Sequence, residues 1–403
     1  MNPDTMEYGV IRYGTPLYVF DLDRMEETAR RVRENLGNTA GLCYAMKANP
    51  FLVKKMEPFV DRIEVCSMGE YRICSELNVS PEKILISGVL KEKQDLMKIL
   101  DTYRSRCAYT AESSGQFKML ADWGQENHEK IRVYLRVTSG NQFGMDREVV
   151  ENMFLAQDRF PGLEIAGIHY FSGTQKRTAD KISAELSQLD GMLGQIRKKT
   201  GYPVRELEYG PGLNVCYFEG QKDTKEEDLK QICRSLDAMQ WKGKVTLEFG
   251  RALAAECGSY LTSVRDLKYN GKRHYCIVDG GIHQLNYDGQ IRGMYRPYVR
   301  VIPDNVQGES QEWTVCGSLC TAADILVQSL PACGLRIGSV LAFRNAGAYS
   351  MTEGMSLFLS HALPKAAFYS QKEGIKLVRK EHQTYMLNME KEIRDENTTE
   401  YFE

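Results

Sequence analysis

Lys47 lies in Tyr44-Ala-Met-Lys-Ala-Asn-Pro50, at the end of the apolar run Gly41-Leu-Cys-Tyr-Ala-Met46. Burial at the tip of a short strand is expected to lower an ammonium pKa and to yield a nucleophilic amine, the form that captures a carbonyl. The same position also suits a lysine that snorkels into water. Further polar residues fall at the ends of later apolar runs. These are Glu64, Arg136, His169-Tyr-Phe171-Ser-Gly173-Thr174, Gly210-Pro-Gly212 and Glu248-Phe-Gly250-Arg251. A single charged strand end is ordinarily a solvated rim residue. Several of them, with two glycine-containing loops, are better explained by one site.

The elements that must position these residues alternate. Short β-rich runs at 41–47, 63–67, 83–88, 106–110, 133–137, 164–172, 206–210 and 245–250 are separated by stretches of helical period. Ser67, with Glu70 three positions on, has the spacing of a capping box. Ile182, Leu186, Leu189, Met192 and Ile196 mark one face of a helix over 178–200, and 226–239 reads as another. Eight such units have the size of a (β/α)8 TIM-type barrel, whose chemistry sits at the C-terminal ends of its strands. A doubly wound open sheet is the rival architecture, although no Gly-x-Gly-x-x-Gly follows the first strand. After Leu253 the strand-like pieces 259–269, 274–279, 298–302, 312–316 and 339–345 follow without regular helices, which predicts a C-terminal, mostly β domain. Residues 8–20 are β-prone and are expected to complete that domain as a strand. The domains are therefore expected at 25–255 for the barrel and at 1–24 with 256–385 for the β domain. Residues 386–403 are expected to be a frayed tail.

Gly173, Gly210, Gly212 and Gly250 would let backbone N–H groups approach an anion, for which a barrel ordinarily offers phosphate sites in its late loops. Each glycine taken singly is also explained by a tight turn. An amine nucleophile beside a phosphate nest describes a pyridoxal phosphate site. Glu248 would pair with the protonated ring nitrogen and keep the ring an electron sink; its other reading is an interdomain salt bridge.

Bulk properties fit a soluble globular protein. The 403 residues are 42% hydrophobic and 26% charged, with net charge −2, which gives no bias toward nucleic acid or anionic membrane. No apolar run is long enough to span a bilayer, and the N-terminus has no signal-peptide pattern. The 11 cysteines form no Cys-x-x-Cys pair. Cys316 and Cys320 lack a His or Cys cluster to complete a zinc site, so no metal is expected. Free thiols in a reducing cytoplasm fit this pattern.

With these residues in place, the chain resembles the pyridoxal-phosphate-dependent decarboxylases of the alanine-racemase-like fold type, and most of all the diaminopimelate and ornithine decarboxylases. Five motifs carry the resemblance: Tyr44-Ala-Met-Lys47-Ala-Asn, Glu208-Tyr-Gly-Pro-Gly-Leu213, Glu248-Phe-Gly-Arg251, Gly317-Ser-Leu-Cys320 and Asn345-Ala-Gly-Ala-Tyr349. The resemblance implies that Lys47 holds the cofactor as a Schiff base. Gly210, Gly212, Gly250, Arg251, Thr174 and Tyr349 would surround its phosphate, and Glu248 would bond its ring nitrogen. It also implies a homodimer with a shared active site, in which Cys320 crosses the interface to return a proton after carbon dioxide leaves.

The sequence departs from the family pattern in three places. Phe171 stands where relatives stack a histidine on the cofactor, and Glu64 stands where they commonly have Asp. Cys320 is followed by Thr321-Ala-Ala323, whereas relatives place there an acid that contacts the distal amine of the substrate. A distal ammonium without its partner in a closed site costs about 2–5 kcal/mol. Asp288 or Asp324 could compensate. Arg292 and Arg296 could receive a substrate carboxylate by bidentate pairing, or belong to a solvated loop. The expected substrate is an α-amino acid, free or tethered to a carrier protein like the glutamyl group handled by some outlying members. The alternatives are an amino-acid racemase, a barrel that only binds the cofactor, and a non-catalytic relative.

Overall fold

The computed structural model describes residues 3–303 and 309–390. The first strand, β1 (Leu17–Asp21), precedes eight parallel strands: β2 (Gly41–Ala45), β3 (Arg62–Val65), β4 (Ile84–Ile86), β5 (Ala108–Ala111), β6 (Ile131–Arg136), β7 (Leu163–Phe171), β8 (Glu206–Gly210) and β9 (Lys244–Phe249). Strands β2 to β9 close into a barrel in chain order, with β9 pairing back to β2. This settles the choice between barrel and open sheet. The strands are buried on both faces, as a barrel wrapped by helices requires. Leu85, Ala108, Tyr134 and Ala166 fill one layer of the interior.

The helices form where the periodicity predicts them. Ala179–Thr200 buries Ile182, Leu186, Leu189, Met192, Leu193 and Ile196 on one face, and Gly201 in the left-handed conformation ends it. Each such large aliphatic side chain contributes roughly 1.5–3 kcal/mol by leaving water. The helix Met68–Glu76 is capped by Ser67, whose hydroxyl accepts from the Glu70 N–H. The Glu70 carboxylate accepts at 2.6 Å from the N–H of Cys66, one residue before the position a reciprocal capping box would use.

The remaining strands are β10 (Gly258–Asn270), β11 (Arg273–Val278), β12 (Val299–Ile302), β13 (Ser310–Cys316), β14 (Ile325–Cys333), β15 (Val340–Phe343), β16 (Lys365–Ser370) and β17 (Gly374–Arg379). With β1 they make a nine-stranded sheet whose main path runs β14-β13-β11-β10-β1-β16-β17. The N-terminal strand is thus interior to this sheet, antiparallel to β10 and parallel to β16.

The expectation of strand over 8–20 is corrected in part. Pro3–Tyr13 is a helix, and only Leu17–Asp21 pairs. Met6, Val10 and Tyr13 recur every three to four residues and pack on Leu17 and Ile375, while Ile11 points outward. That period is helical and outweighs the β-branched Val10-Ile11 pair. Strand β14 is not among the strands expected from the sequence, and it contains Pro331, a residue that ordinarily argues against a strand. It lies at the sheet edge, where a missing N–H costs no ladder bond. Alanine-rich β16 is likewise weak in β propensity and is held by its neighbours β1 and β17. Of the expected tail, residues 391–403 lie outside the described residues. Among those described, no helix is long and apolar enough to cross a membrane.

Two hydrogen bonds join the strand end of Lys47 to the loop after β15. The Tyr349 N–H donates to the Ala48 carbonyl at 2.8 Å, and the Asn49 amide donates to the Gly347 carbonyl at 2.8 Å. Gly347 permits this approach, since a Cβ there would lie 2.0 Å from the Ala254 carbonyl oxygen and 2.7 Å from the Gly258 nitrogen, both backbone atoms that cannot swing away. Gly347→Ala is therefore expected to destabilise the protein by about 1–3 kcal/mol, measured as a lower urea midpoint at unchanged slope. An unchanged midpoint would show that the joint relaxes freely.

Candidate active site

The C-terminal ends of the barrel strands open into a cavity of about 330 Å³. Lys47, Glu64, Arg136, His169, Phe171, Thr174, Gly212, Glu248, Gly250, Arg251 and Tyr349 line it. They arrive from six of the eight strands or the turns after them, with Tyr349 added from the loop after β15. Strand geometry explains the convergence: residues at one level of a closed parallel barrel point to one mouth.

Lys47 follows β2 directly, in a single 3-10 turn. Its Nζ donates to Glu64 Oε2 at 2.6 Å and lies 3.5 Å from the Cys66 sulfur. Glu64 is buried, whereas 43% of the Lys47 side chain is open, toward the cavity it lines. The expected depression of the Lys47 pKa is corrected here. Burial does lower it, but Glu64, then Cys66 and Glu248, outweigh burial and move it well up. For Glu64, burial raises the pKa, but Lys47 and His169 prevail and hold it below the ordinary carboxylate range. The amine is kept as an ammonium by a buried counter-ion.

Glu248 and His169 form a second pair, with His169 Nε2 3.2 Å from Glu248 Oε2. Glu248 Oε1 and His169 Nδ1 are buried and make no hydrogen bond, although Oε1 also lies 3.2 Å from His169 Nε2. Ligand atoms of Glu64, His169 and Glu248 all fall within 4.8 Å of one another. Beneath them, Arg62 donates to Glu208 at 2.5 Å, and Arg132 and Tyr134 both bond Glu206. Burial pushes the Glu208 pKa up, and the neighbouring Glu248 adds to this against the pull of Arg62.

The other side of the cavity suits an anion. Arg251 donates to the Tyr217 hydroxyl at 2.7 Å, and its guanidinium lies 4.6 Å from the centre of the Tyr349 ring. Arg251 Nε is buried without a partner. Gly212 is in the left-handed region at φ +68, and a Cβ there would fall 2.1 Å from the Gly173 carbonyl oxygen. At Gly210 a Cβ would meet the Phe171 ring at 2.5 Å, so glycine is what lets that ring lie over β8. Pyridoxal phosphate fits this arrangement. The partnerless Glu248 oxygen suits a protonated ring nitrogen, and the partnerless Arg251 nitrogen with the glycine backbone suits a phosphate.

Other residues singled out in the sequence lie apart. Gly173 and Gly210 support the cavity through the contacts just described. Arg136 reaches the cavity but is paired with buried Glu112 at 2.9 Å. Cys320 is exposed and Thr321 half-buried, and neither lines the Lys47 cavity. Arg292 lines an adjoining cavity of about 410 Å³. Arg296 pairs with Glu219 at 2.5 Å, so its guanidinium is already engaged. Asp324 accepts from the N–H groups of Ile282 and Leu319 at 2.9 and 2.8 Å, which occupies both its oxygens in shaping the loop.

Sequence reasoning passed over Glu353, which lines both cavities, and Cys66 and Glu112. Glu353 carried one usable signal, an acid one helical turn beyond the motif tyrosine. Glu112 carried none, because its partner Arg136 is distant in sequence.

Residues 22–255 match the family described as pyridoxal-dependent decarboxylase, pyridoxal binding domain. The chain is 26% identical to a diaminopimelate decarboxylase of Aquifex aeolicus, over 91% of this chain and 89% of that protein. It is also 26% identical to an L-glutamyl-(BtrI acyl-carrier protein) decarboxylase of Niallia circulans, over 90% of this chain and 91% of that one. In structure it is similar to the diaminopimelate decarboxylase of M. jannaschii, with TM-score 0.84 at 22% identity, covering 96% of this chain and 94% of the other. That last likeness is one of fold.

The Lys47–Glu64 pair sets a pH dependence. The raised lysine pKa contributes stability that is present below the unfolded value of about 10.4 and lost as pH rises through the folded one. The lowered Glu64 pKa contributes stability present above about 4.3 and lost as pH falls through the folded value. In cofactor-free protein, Glu64→Gln is expected to shift the midpoint of Lys47 modification by a small aldehyde, trapped with borohydride, down by about 1–3 pH units. An unmoved midpoint would show that Glu64 does not hold the ammonium.

Proposed function

Since the chain belongs to the pyridoxal-dependent decarboxylase family and is an amino-acid decarboxylase that uses pyridoxal phosphate, we propose that it works through Lys47 on a substrate pocket altered from that of the diaminopimelate enzymes. The observation that carries this reading is the Lys47 ammonium at 2.6 Å from buried Glu64, on the same cavity as a buried Glu248 oxygen that makes no hydrogen bond.

Lys47 Nζ would hold the cofactor covalently. Arg251, Thr174, Tyr349 and the backbone at Gly212 and Gly250 would hold its phosphate, Glu248 its ring nitrogen, and Phe171 its face. When bound, the cofactor supplies a sink for the electron pair released as carbon dioxide leaves Cα. Glu248 favours decarboxylation over racemisation in this reading, because a carboxylate keeps the ring nitrogen protonated. His169 fixes the Glu248 carboxylate from the side, and Phe171 presents an apolar face where a histidine would add a titrating group. Glu64 receives the Lys47 ammonium whenever the lysine is free, which keeps the amine aimed at the cavity between turnovers.

Cys320 Sγ would return the proton to Cα. Its exposure and its distance from the cavity in a single chain support a homodimer in which a second copy presents it. The pocket is altered at Thr321, where a neutral side chain follows the cysteine. A second reading, decarboxylation of a glutamyl group on a carrier protein, draws on the Niallia circulans relative. It also draws on exposed Ile291 beside the open adjoining cavity and exposed Met294 in the same loop.

Release of carbon dioxide, followed by mass spectrometry over meso-diaminopimelate, ornithine, lysine, arginine, glutamate and a glutamyl-loaded carrier protein, tests the activity and identifies the substrate. Lys47→Ala is expected to abolish both the cofactor absorbance and turnover. Cys320→Ala is expected to keep the absorbance and slow turnover by about 10²-fold or more, as for loss of a positioned general acid. Mixing the two variants under conditions of subunit exchange is expected to raise activity well above that of either one alone. Failure to raise it, in a mixture shown to contain hybrid dimers, would remove Cys320 from a shared site.

A further inference from the structure

The missing acid after Cys320 leaves open which group, if any, meets a cationic substrate side chain. Asp324 is committed to its loop, and Asp288 is exposed and lines neither the Lys47 cavity nor the adjoining one. Glu353 is exposed as well, but it is placed differently. It lines both cavities, and its backbone N–H is tied to the Tyr349 carbonyl at 3.0 Å, which fixes it one turn from a residue of the cofactor cavity. Its carboxylate has no hydrogen-bond or ion-pair partner among the described residues, in contrast to Glu64, Glu112 and Glu208 nearby.

The adjoining cavity has the form of a side-chain chamber. Buried Leu285 and Leu326, with exposed Ile291 and Met355 at its open side, offer apolar surface to methylene groups, and Glu353 lies on the side shared with the Lys47 cavity. A substrate with its Cα at Lys47 would pass Glu353 before its chain meets those walls. Arg292 also lines the adjoining cavity, but Glu353 is the charged group shared with the Lys47 cavity, where its carboxylate disfavours an anionic group and rewards a cationic one as bound substrate displaces water.

We propose that Glu353 is the specificity-determining residue that pairs with the side-chain ammonium of a basic α-amino acid, supplying from the loop after β15 the charge that Thr321 lacks. This rests on the reading of the Lys47 cavity as the decarboxylation site.

The test uses the holoenzyme and its Glu353→Gln and Glu353→Asp variants. Two matched probe pairs differ only in a distal ammonium. Lysine and norleucine are compared by kcat/KM for carbon dioxide release, and 1,5-diaminopentane and pentylamine by Kd from the change in cofactor absorbance. The wild-type protein is expected to favour the ammonium-bearing member of each pair. Glu353→Gln should reduce that preference about tenfold or more, with unchanged cofactor absorbance, and Glu353→Asp should retain part of it. A preference unchanged in Glu353→Gln overturns the proposal, as does wild-type preference for norleucine, pentylamine or a glutamyl-loaded carrier. If no amino acid releases carbon dioxide, the reading of the Lys47 cavity fails, and the diamine pair still decides the role of Glu353.

Discussion

The joint between the end of β2 and the loop after β15 is what the active site depends on. Neither element alone makes a site. The barrel delivers Lys47, Glu64, His169, Glu248 and Arg251, but the far wall, with Tyr349 and Glu353, belongs to the loop after β15. Two hydrogen bonds, from Tyr349 N–H to Ala48 and from Asn49 to Gly347, hold that wall to the two residues that follow Lys47. Asn49 is buried and its side-chain oxygen also accepts from the Phe51 N–H. Its loss would leave backbone groups unpaired at the point where the lysine turns out of its strand. Placing β1 in the interior of the second sheet serves the same end, since Asp21 at its close caps the helix Leu22–Leu36 that leads into the barrel.

Below this joint the barrel interior is ionic rather than apolar on the side of β2, β3, β7, β8 and β9. Glu64, Glu248 and Glu208 are all buried there, against Lys47, His169 and Arg62. Buried carboxylates at such separations cannot all be stabilised by burial, which favours their neutral forms. The opposite directions of the Glu64 and Glu208 pKa values follow from this. Glu64 has a lysine in direct contact and stays ionised, while Glu208 is pushed up by burial, with Glu248 adding to it against the pull of Arg62. The arrangement stores polarity at the level where a cofactor ring would lie, and it leaves Glu248 with an oxygen still to satisfy. Hydrophobic replacement of such groups could give a more stable barrel, so their presence is better explained by chemistry than by stability.

Much of the fold was legible because barrel strands carry two signals at once, apolar runs of strand length and helical periodicity between them. The ends of those strands then named most of the cavity in order, from Lys47 to Arg251. What was not legible depended on contacts between distant segments. The helix over Pro3–Tyr13 has a period that only the sheet beneath it makes meaningful. Strand β14 contains a proline that is tolerable only at an edge. The direction of the Lys47 pKa turned on Glu64, 17 residues away, and burial of the strand end alone pointed the other way. Arg296 looked free in sequence and is engaged by Glu219, 77 residues distant.

The division between the two parts of the molecule also explains why cofactor chemistry and substrate choice have different footing. Groups that touch the cofactor side of the cavity sit at strand ends, where a closed barrel fixes both position and direction. A change there disturbs eight coupled strands. Groups that face the adjoining cavity sit mostly in loops, on residues 282–292, 323 and 353–355, with Ile325 and Leu326 at the start of β14, and Arg292 occupies the left-handed region at φ +47 that a side chain tolerates only when its surroundings hold it. Loops of this kind accept substitution without moving the lysine. A chain only 26% identical to its relatives can therefore keep the lysine, the carboxylate behind the ring and the anion nest, while the charge that reads the substrate moves from one loop to another. In the proposed reading, Thr321 after the cysteine and Glu353 after the tyrosine are two parts of one exchange, made in the loops and not at the strand ends.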